Sequence, residues 1–243
     1  MERKFSILLV AISVLVLAGC SIGESADSII KKSIAFYGMD KLDGKTIDFD
    51  FRAKHFKVKL NKGEFFYEST YKNDSLGLIK DQLSNHGFVR EQNGLVIPLS
   101  QKDSVKYAES LNAVIYFAFL PLKLTDEAVR AKILRTVQVK GKDYNQIEVS
   151  FDAENGGNHY DDVFYFWFDV KDHSMDYFAY SKGGNRFRAI NGLINSDGLY
   201  LQNYVNLESK NNDKSALKDY YVLFEQDKLN TLSYITLKNL SVK

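Results

Sequence analysis

Cysteine is all but missing from this chain: Cys20 is the only one among 243 residues, which excludes an intramolecular disulfide. Proline is nearly as scarce, with Pro98 and Pro121 alone, and no Pro-, Ser- or Gly-rich linker interrupts the sequence. One domain is therefore expected, since all-β single domains reach this length. Neither sign of charge dominates, with 32 Lys and Arg against 31 Asp and Glu, and there is no basic run. Without a long-range positive field the chain has nothing to draw in nucleic acid, which is excluded as a partner. No Gly-x-Ser-x-Gly elbow, P-loop or dinucleotide fingerprint occurs. No cofactor is expected, and the folded part is read as non-enzymatic.

What is present begins at the amino terminus. Arg3 and Lys4 precede a stretch from Phe5 to Leu17 that is apolar apart from Ser6 and Ser13. Its length suits the core of a signal peptide and falls short of the roughly 20 residues that span a bilayer. The stretch closes with Leu17-Ala18-Gly19-Cys20, which resembles the lipobox of bacterial lipoproteins. That resemblance implies cleavage after residue 19, lipid on the Cys20 thiol and acylation of the new amino terminus. Two or more such chains hold a protein stably on a membrane. An acylated Cys20 also cannot serve as a nucleophile. Ser21 follows the cysteine, so nothing resembles an aspartate retention signal. The expected location is the cell envelope, on the outer membrane and facing the periplasm. Removing Glu2, Arg3 and Lys4 with the leader leaves 30 basic and 30 acidic side chains. Residues 20–27 read as a lipidated tether and 28–243 as the domain.

Aromatic residues are abundant, with 17 Phe and 15 Tyr beside a single Trp. Phe and Tyr favour pleated surfaces and bury large areas. Residues 27–38 have helical spacing, with Asp27 as the expected cap and Gly38 as the stop. Strict alternation then predicts strands over 45–52, 54–60 and 64–71, followed by short ones at 76–83, 86–91 and 94–98. Ser100, with Asp103 three positions on, starts a helix that Pro121 stops. Further strands read at 133–140, 143–151, 161–170, 174–181, 185–191 and 198–206. A helix at 215–227 and a strand at 231–240 follow. Sequential hairpins with one wet face argue for a mainly β, curved antiparallel sheet or barrel with covering helices.

Two apolar stretches stand out. Leu111–Leu122 carries Asn112 as its only strongly polar side chain, so that helix is either buried as a plug or acts as a lid over a cavity. Asp162–Val170 places Phe164, Phe166, Phe168 and Val170 on one face and Val163, Tyr165 and Trp167 on the other, as in a strand covered on both sides. His55, His86, His159 and His173 are scattered along the chain. The Asn158–Asp162 cluster, with one imidazole and two carboxylates, reads as turn chemistry rather than a metal site. A hydrolase would need a histidine beside a serine and a carboxylate, and His86 and His159 are the positions to inspect. Gly183-Gly184-Asn185-Arg186-Phe187-Arg188 has the glycines of a phosphate cradle. It opens no helix, however, and reads as a hairpin turn.

The strand-rich plan, the apolar helix and Val163–Asp169 followed by Lys171-Asp172 resemble the carriers and receptors of the lipoprotein-localisation pathway, LolA and LolB. In that fold a strand ending in an aromatic W-x-D pattern, here Trp167-Phe168-Asp169, turns through polar residues into the next strand. The resemblance implies a half-closed antiparallel barrel, helices plugging its mouth, and an apolar cavity for acyl chains. No functional residue of that pathway maps onto this sequence. The chain is also similar, over nearly its whole mature length, to an uncharacterised Bacteroidetes-type family of Gram-negative lipoproteins. Lys32–Gly38, Val114–Ala118, Asp161–Phe164 and Arg186–Arg188 carry that similarity, which implies no activity.

Composition, helix and anchor together point to a membrane-tethered domain that holds a lipid or other hydrophobic ligand. The expected lining is Phe49, Phe51, Phe56, Val58, Phe164, Phe166 and Phe168, with Ile115 and Phe119 from the helix. The rival reading is a filled core whose surface binds another envelope protein.

Overall fold

The computed structural model of the protein describes residues 24–152, 162–210 and 214–243. Helix α1 (Ala26–Phe36) is capped by Ser25 rather than by Asp27. Ser25 is extended and its side chain accepts from the Ser28 N–H at 3.2 Å, while Asp27 falls in the first turn, where the helix dipole favours an acid. Strands β1 (Thr46–Phe51), β2 (Lys54–Asn61), β3 (Glu64–Asn73), β4 (Gly77–Ser84), β5 (Gly87–Gln92) and β6 (Leu95–Val96) follow as an antiparallel meander. Strand β6 is shorter than the expected 94–98 because Pro98 has no N–H to extend the ladder.

Helix α2 (Gln101–Ala118) starts where Ser100 and Asp103 place it. The Asp103 N–H donates to Ser100 Oγ at 3.1 Å, and that hydroxyl donates to the Asp103 carboxylate at 2.7 Å. The helix stops short of Pro121, whose ring disfavours helical backbone at the residue before it. The second half brings β7 (Val129–Val139), β8 (Lys142–Phe151), β9 (Phe164–Asp169), β10 (Met175–Tyr180), β11 (Arg186–Ser196) and β12 (Leu199–Glu208). In place of a helix over 215–227, a 3₁₀ segment at Lys214–Asp219 runs into a short helix α3 (Tyr220–Glu225), held against the sheet by fully buried Leu217 and Tyr220.

Strands β13 (Asn230–Ile235) and β14 (Leu237–Val242) divide what reads in sequence as one strand. Strand β13 pairs with β12 and β14 with β1, so the chain crosses from one sheet to the other at Thr236. The Leu237 N–H is donated to the Asn203 side chain at 2.8 Å, which satisfies the backbone where the ladder changes partner. The result is two seven-stranded sheets, β14-β1-β2-β3-β4-β5-β6 and β13-β12-β11-β10-β9-β8-β7. Strands β6 and β7 are outer edges and do not pair, so the arrangement is half-closed, as expected. The wedge that keeps it open is the C-terminal half of α2. Phe119, just beyond the helix, packs on Phe49 of the first sheet, and Phe117 stacks on Phe178 of the second.

The centre of the second sheet, strands β9 and β10, is buried on both faces. From β9, Phe164, Phe166 and Phe168 enter the main core with α1, α2 and the first sheet. Tyr165 and Trp167 face a second core closed by Leu217 and Tyr220. This explains why Phe164–Asp169 is apolar on both sides in sequence. The α1 segment is pinned to the same sheet through its last turn. The Tyr37 hydroxyl accepts from the Met175 N–H at 3.0 Å, and the Tyr37 carbonyl accepts from the Tyr200 N–H at 2.9 Å. Gly38 then turns the chain with φ +68°, close against the Gly198 carbonyl.

Candidate functional site

The concave face of the first sheet and the flank of α2 do not fill the space between them. A cavity of about 500 Å³ opens there, walled by Phe51, Phe56, Tyr71, Tyr107, Leu111 and Val114. A second cavity of about 250 Å³ lies on the other side of the helix, between Val114, Phe117 and Ala118 and the strands β11 to β14. The two share Phe51, Arg52 and Val114 as a common wall. Phe51 and Arg52 belong to the tight β1–β2 turn, in which Arg52 adopts φ 55°.

The larger cavity is apolar along the C-terminal part of the helix, at Leu111 and Val114, and cationic along the sheet and at Lys106. Arg52, Lys54, Lys72, Arg90 and Lys106 line it against a single acid among the described residues, Asp81. Arg90 and Asp81 face each other directly across β4 and β5. They form a bidentate pair, Nε to Oδ1 at 2.5 Å and Nη2 to Oδ2 at 2.8 Å, with both side chains buried. The guanidinium also lies 3.4 Å from the Tyr107 ring centroid and donates to the Tyr71 hydroxyl at 3.3 Å. Lys54 sits over the other ring of this set, its ammonium 3.8 Å from the Tyr71 centroid. Burial lowers the Lys54 pKa, and the neighbouring Arg90 charge adds to this against the pull of Asp81. Burial raises the Tyr71 pKa, and Asp81 adds to that effect.

Among the described residues, no acidic side chain stands in the wall of the smaller cavity. Its polar residues are Arg52, Arg188, Gln202, Tyr204, Asn206 and Ser233. Arg188, Asn206 and Ser233 are consecutive partners across β11, β12 and β13, so they form one row on the inner face of the second sheet. Tyr204 is fully buried, and that burial holds its hydroxyl well above the usual pKa.

Among the residues expected to line a site, Phe51 contributes to both cavities and Phe56 to the larger. The others are core. Phe49, Val58, Ile115, Phe119, Phe164, Phe166 and Phe168 are each no more than 5% exposed. Phe49 stacks on Phe56 at 5.2 Å, and Phe166 on Phe178 at 5.7 Å. His86 is exposed in the β4–β5 turn, where its N–H donates to Ser84 Oγ at 3.2 Å. His55 pairs with Asp50 at 2.8 Å and lies 3.4 Å from Asp48, with no serine in the set. His159 and most of the Asn158–Asp162 cluster lie outside the described residues. Gly183 and Gly184 form the β10–β11 turn.

Sequence reasoning passed over the cations and polar groups of the groove. One signal was available. In Arg186-Phe187-Arg188-Ala189-Ile190 the alternation that marks a strand puts Arg186 and Arg188 on the same face as Ile190, so two cations share one side of a strand whose other side is apolar. A charge at such a position is either paired or in use.

Two curved antiparallel sheets held apart by a wedged helix, with a groove on either side of it, define the class: a half-closed antiparallel-sheet domain. The chain belongs to DUF6503, a family of unknown function, which matches residues 2–236. No curated protein matches it. Among solved structures it is similar to a DUF1329 family protein from Desulfovibrio piger, with a TM-score of 0.50 and 10% identity, over 89% of this chain and 92% of that one. A LolA superfamily protein from Nitrosomonas europaea matches with a TM-score of 0.49 and 10% identity, over 89% of this chain and 93% of that one. At such identities the likeness is one of fold.

Proposed function

We propose that this protein is a lipoprotein of the cell envelope, tethered to the outer membrane through lipid on Cys20, whose folded part binds a lipid or other hydrophobic ligand in the groove beside α2. The observation that carries the reading is the cavity of about 500 Å³ between the helix and the first sheet. Its size falls within the roughly 300–1,000 Å³ of ligand sites, and its walls set aromatic and aliphatic side chains beside several cations. Apolar surface removed from water there contributes about 25 cal/mol per Å², enough for a chain of a few carbons to bind without charged contacts. The tether keeps the groove near its supply of ligand.

The test uses residues 21–243, which contain every described element of the fold. Native mass spectrometry with organic extraction reads any lipid carried through purification. Fluorescence of N-phenyl-1-naphthylamine reads the groove directly. Val114→Asp, placed in the wall common to both cavities, is expected to abolish both signals while circular dichroism stays unchanged. A protein that carries no lipid and takes up no probe would overturn the reading. The tether is checked separately: Cys20→Ala should release the protein from the membrane fraction and end its labelling by palmitate.

One observation favours an envelope interaction protein instead. The free edge of the first sheet exposes Leu95 at 73% and Val96 at 68%, while most of the aromatic residues expected at a site fill the core. A groove that takes up nothing would hand the function to that edge.

A further inference from the structure

We infer that the smaller cavity seats an anionic head, which makes the ligand of the groove an acidic amphiphile. The inference rests on the hydrophobic-ligand reading above and narrows it to a chemical class.

Two buried arginines line the groove, and they are handled differently. Arg90 is neutralised by Asp81 through two hydrogen bonds. Arg188 is 9% exposed and has no carboxylate partner among the described residues. Its Nη2 donates to the Tyr180 hydroxyl at 2.8 Å, and its Nε, buried, has no partner among them. Three rings hold the guanidinium in place: Phe117 with its centroid at 4.3 Å, Tyr180 at 5.2 Å and Phe178 at 5.3 Å. Aromatic faces offset part of the cost of desolvating a cation, but they leave its charge and its in-plane donors uncompensated.

The atoms around it repeat the pattern. The Tyr204 hydroxyl, Gln202 Oε1 and Asn206 Oδ1 are buried without partners among the described residues, and all three side chains line the same cavity as Arg188. Buried polar groups are almost always hydrogen-bonded, to protein, ordered water or a ligand, and an acidic head in this cavity would satisfy the cluster. The Gln202 amide is oriented by its own donation to the Met175 carbonyl at 3.2 Å, so its oxygen is the free end. The Asn206 amide nitrogen donates to the Ser233 hydroxyl at 3.4 Å. The set therefore offers a permanent cation and a phenol to an anion, with an amide oxygen for an adjacent hydroxyl. A cationic head finds no counter-charge, because no acid among the described residues lines this cavity. A carboxylate or phosphate on Arg188 leaves the tail to run along Phe51 and Val114 into the larger cavity.

The same chemistry is shared by the head of an amphiphile and by a small free anion, and the experiment separates them. Laurate, methyl laurate and inorganic phosphate are titrated against residues 21–243 preloaded with N-phenyl-1-naphthylamine. Laurate is expected to displace the probe at least about tenfold more tightly than its methyl ester, the usual effect of one charge-assisted hydrogen bond in a dry site. Arg188→Gln should remove that preference by weakening laurate more than the ester, and Tyr204→Phe should reduce the preference in part. Equal affinities of laurate and methyl laurate for the unmodified protein would overturn the inference while leaving the hydrophobic-ligand reading standing, whatever the variants do. Displacement by neither would remove both. Inorganic phosphate that blocks laurate at millimolar concentration while the ester still binds would assign the site to a free anion and overturn the amphiphile.

Discussion

The guanidinium carbon of Arg188 lies 4.3 Å from the ring centroid of Phe117, so the second sheet meets helix α2 through a cation on an aromatic face at the wall of the smaller cavity. The same ring stacks on Phe178 at 5.8 Å and packs against Tyr180 at 5.2 Å. Phe117→Ala is therefore expected to cost about 3 kcal/mol by loss of packing and of the cation–π contact. Phe117→Leu, which keeps most of the volume, should cost less than half of that. Urea denaturation of both variants checks the ordering.

Arg90 and Asp81 make a buried pair whose two halves are not equivalent to its absence. Asp81→Ala leaves a buried cation with only aromatic and hydroxyl partners and is expected to cost about 3–5 kcal/mol. Replacing both, Arg90→Met with Asp81→Leu, should return stability to within about 1 kcal/mol of the original, because no charge is then desolvated. A double-mutant cycle in urea tests this. A double variant as unstable as Asp81→Ala would show that the pair is needed for packing rather than for charge balance.

Gly38 and Gly63 both have positive φ, but only one of them is crowded. A Cβ on Gly38 would come within 2.1 Å of the Gly198 carbonyl oxygen, whereas one on Gly63 meets nothing within 4 Å. Gly63→Ala should cost about 1 kcal/mol, the ordinary left-handed penalty. Gly38→Ala adds a backbone clash and is expected to cost more than about 2 kcal/mol. Thermal melts of the two single variants separate strain from contact.

Asp50 sets an acid limb to stability. Its carboxyl is held below the ordinary range, first by the Asn239 amide, which donates to it at 2.6 Å, and then by the His55 ring, with burial opposing in part. A carboxyl whose folded pKa is depressed contributes stability that is present above its unfolded pKa of about 3.9 and lost as pH falls through the folded value. Asp50→Asn should therefore flatten the fall in melting temperature below about pH 4 and lower the plateau above it. Because Asn239 is on β14 and Asp50 on β1, the same substitution loosens the strand that joins the two sheets.

Much of the fold was legible because its signals are local. Alternation in Ile47-Asp48-Phe49-Asp50-Phe51 and the turn Asn61-Lys62-Gly63 mark hairpins over neighbouring residues, and Ser100 with Asp103 starts a helix by a bond three residues long. The candidate groove was legible only in part. Phe51 and Phe56 stand on its wall, but Phe164, Phe166 and Phe168 carry the same aromatic signature and lie in the core. An apolar residue on an inner face reads the same whether its neighbour is another ring or open space.

What the sequence by itself determined is the succession of strands and helices and the apolar identity of their inner faces, because period, capping and turn chemistry act between residues close in the chain. Only the tertiary structure decided that the last strand divides at Thr236 to serve two sheets, that α2 wedges them apart, and that Arg188, beside Gln202, Tyr204 and Asn206, has no carboxylate partner among the described residues. Those facts depend on which distant segments share a space, and on whether a buried charge finds its partner there. Pairing across the fold settles both, and no local pattern encodes it.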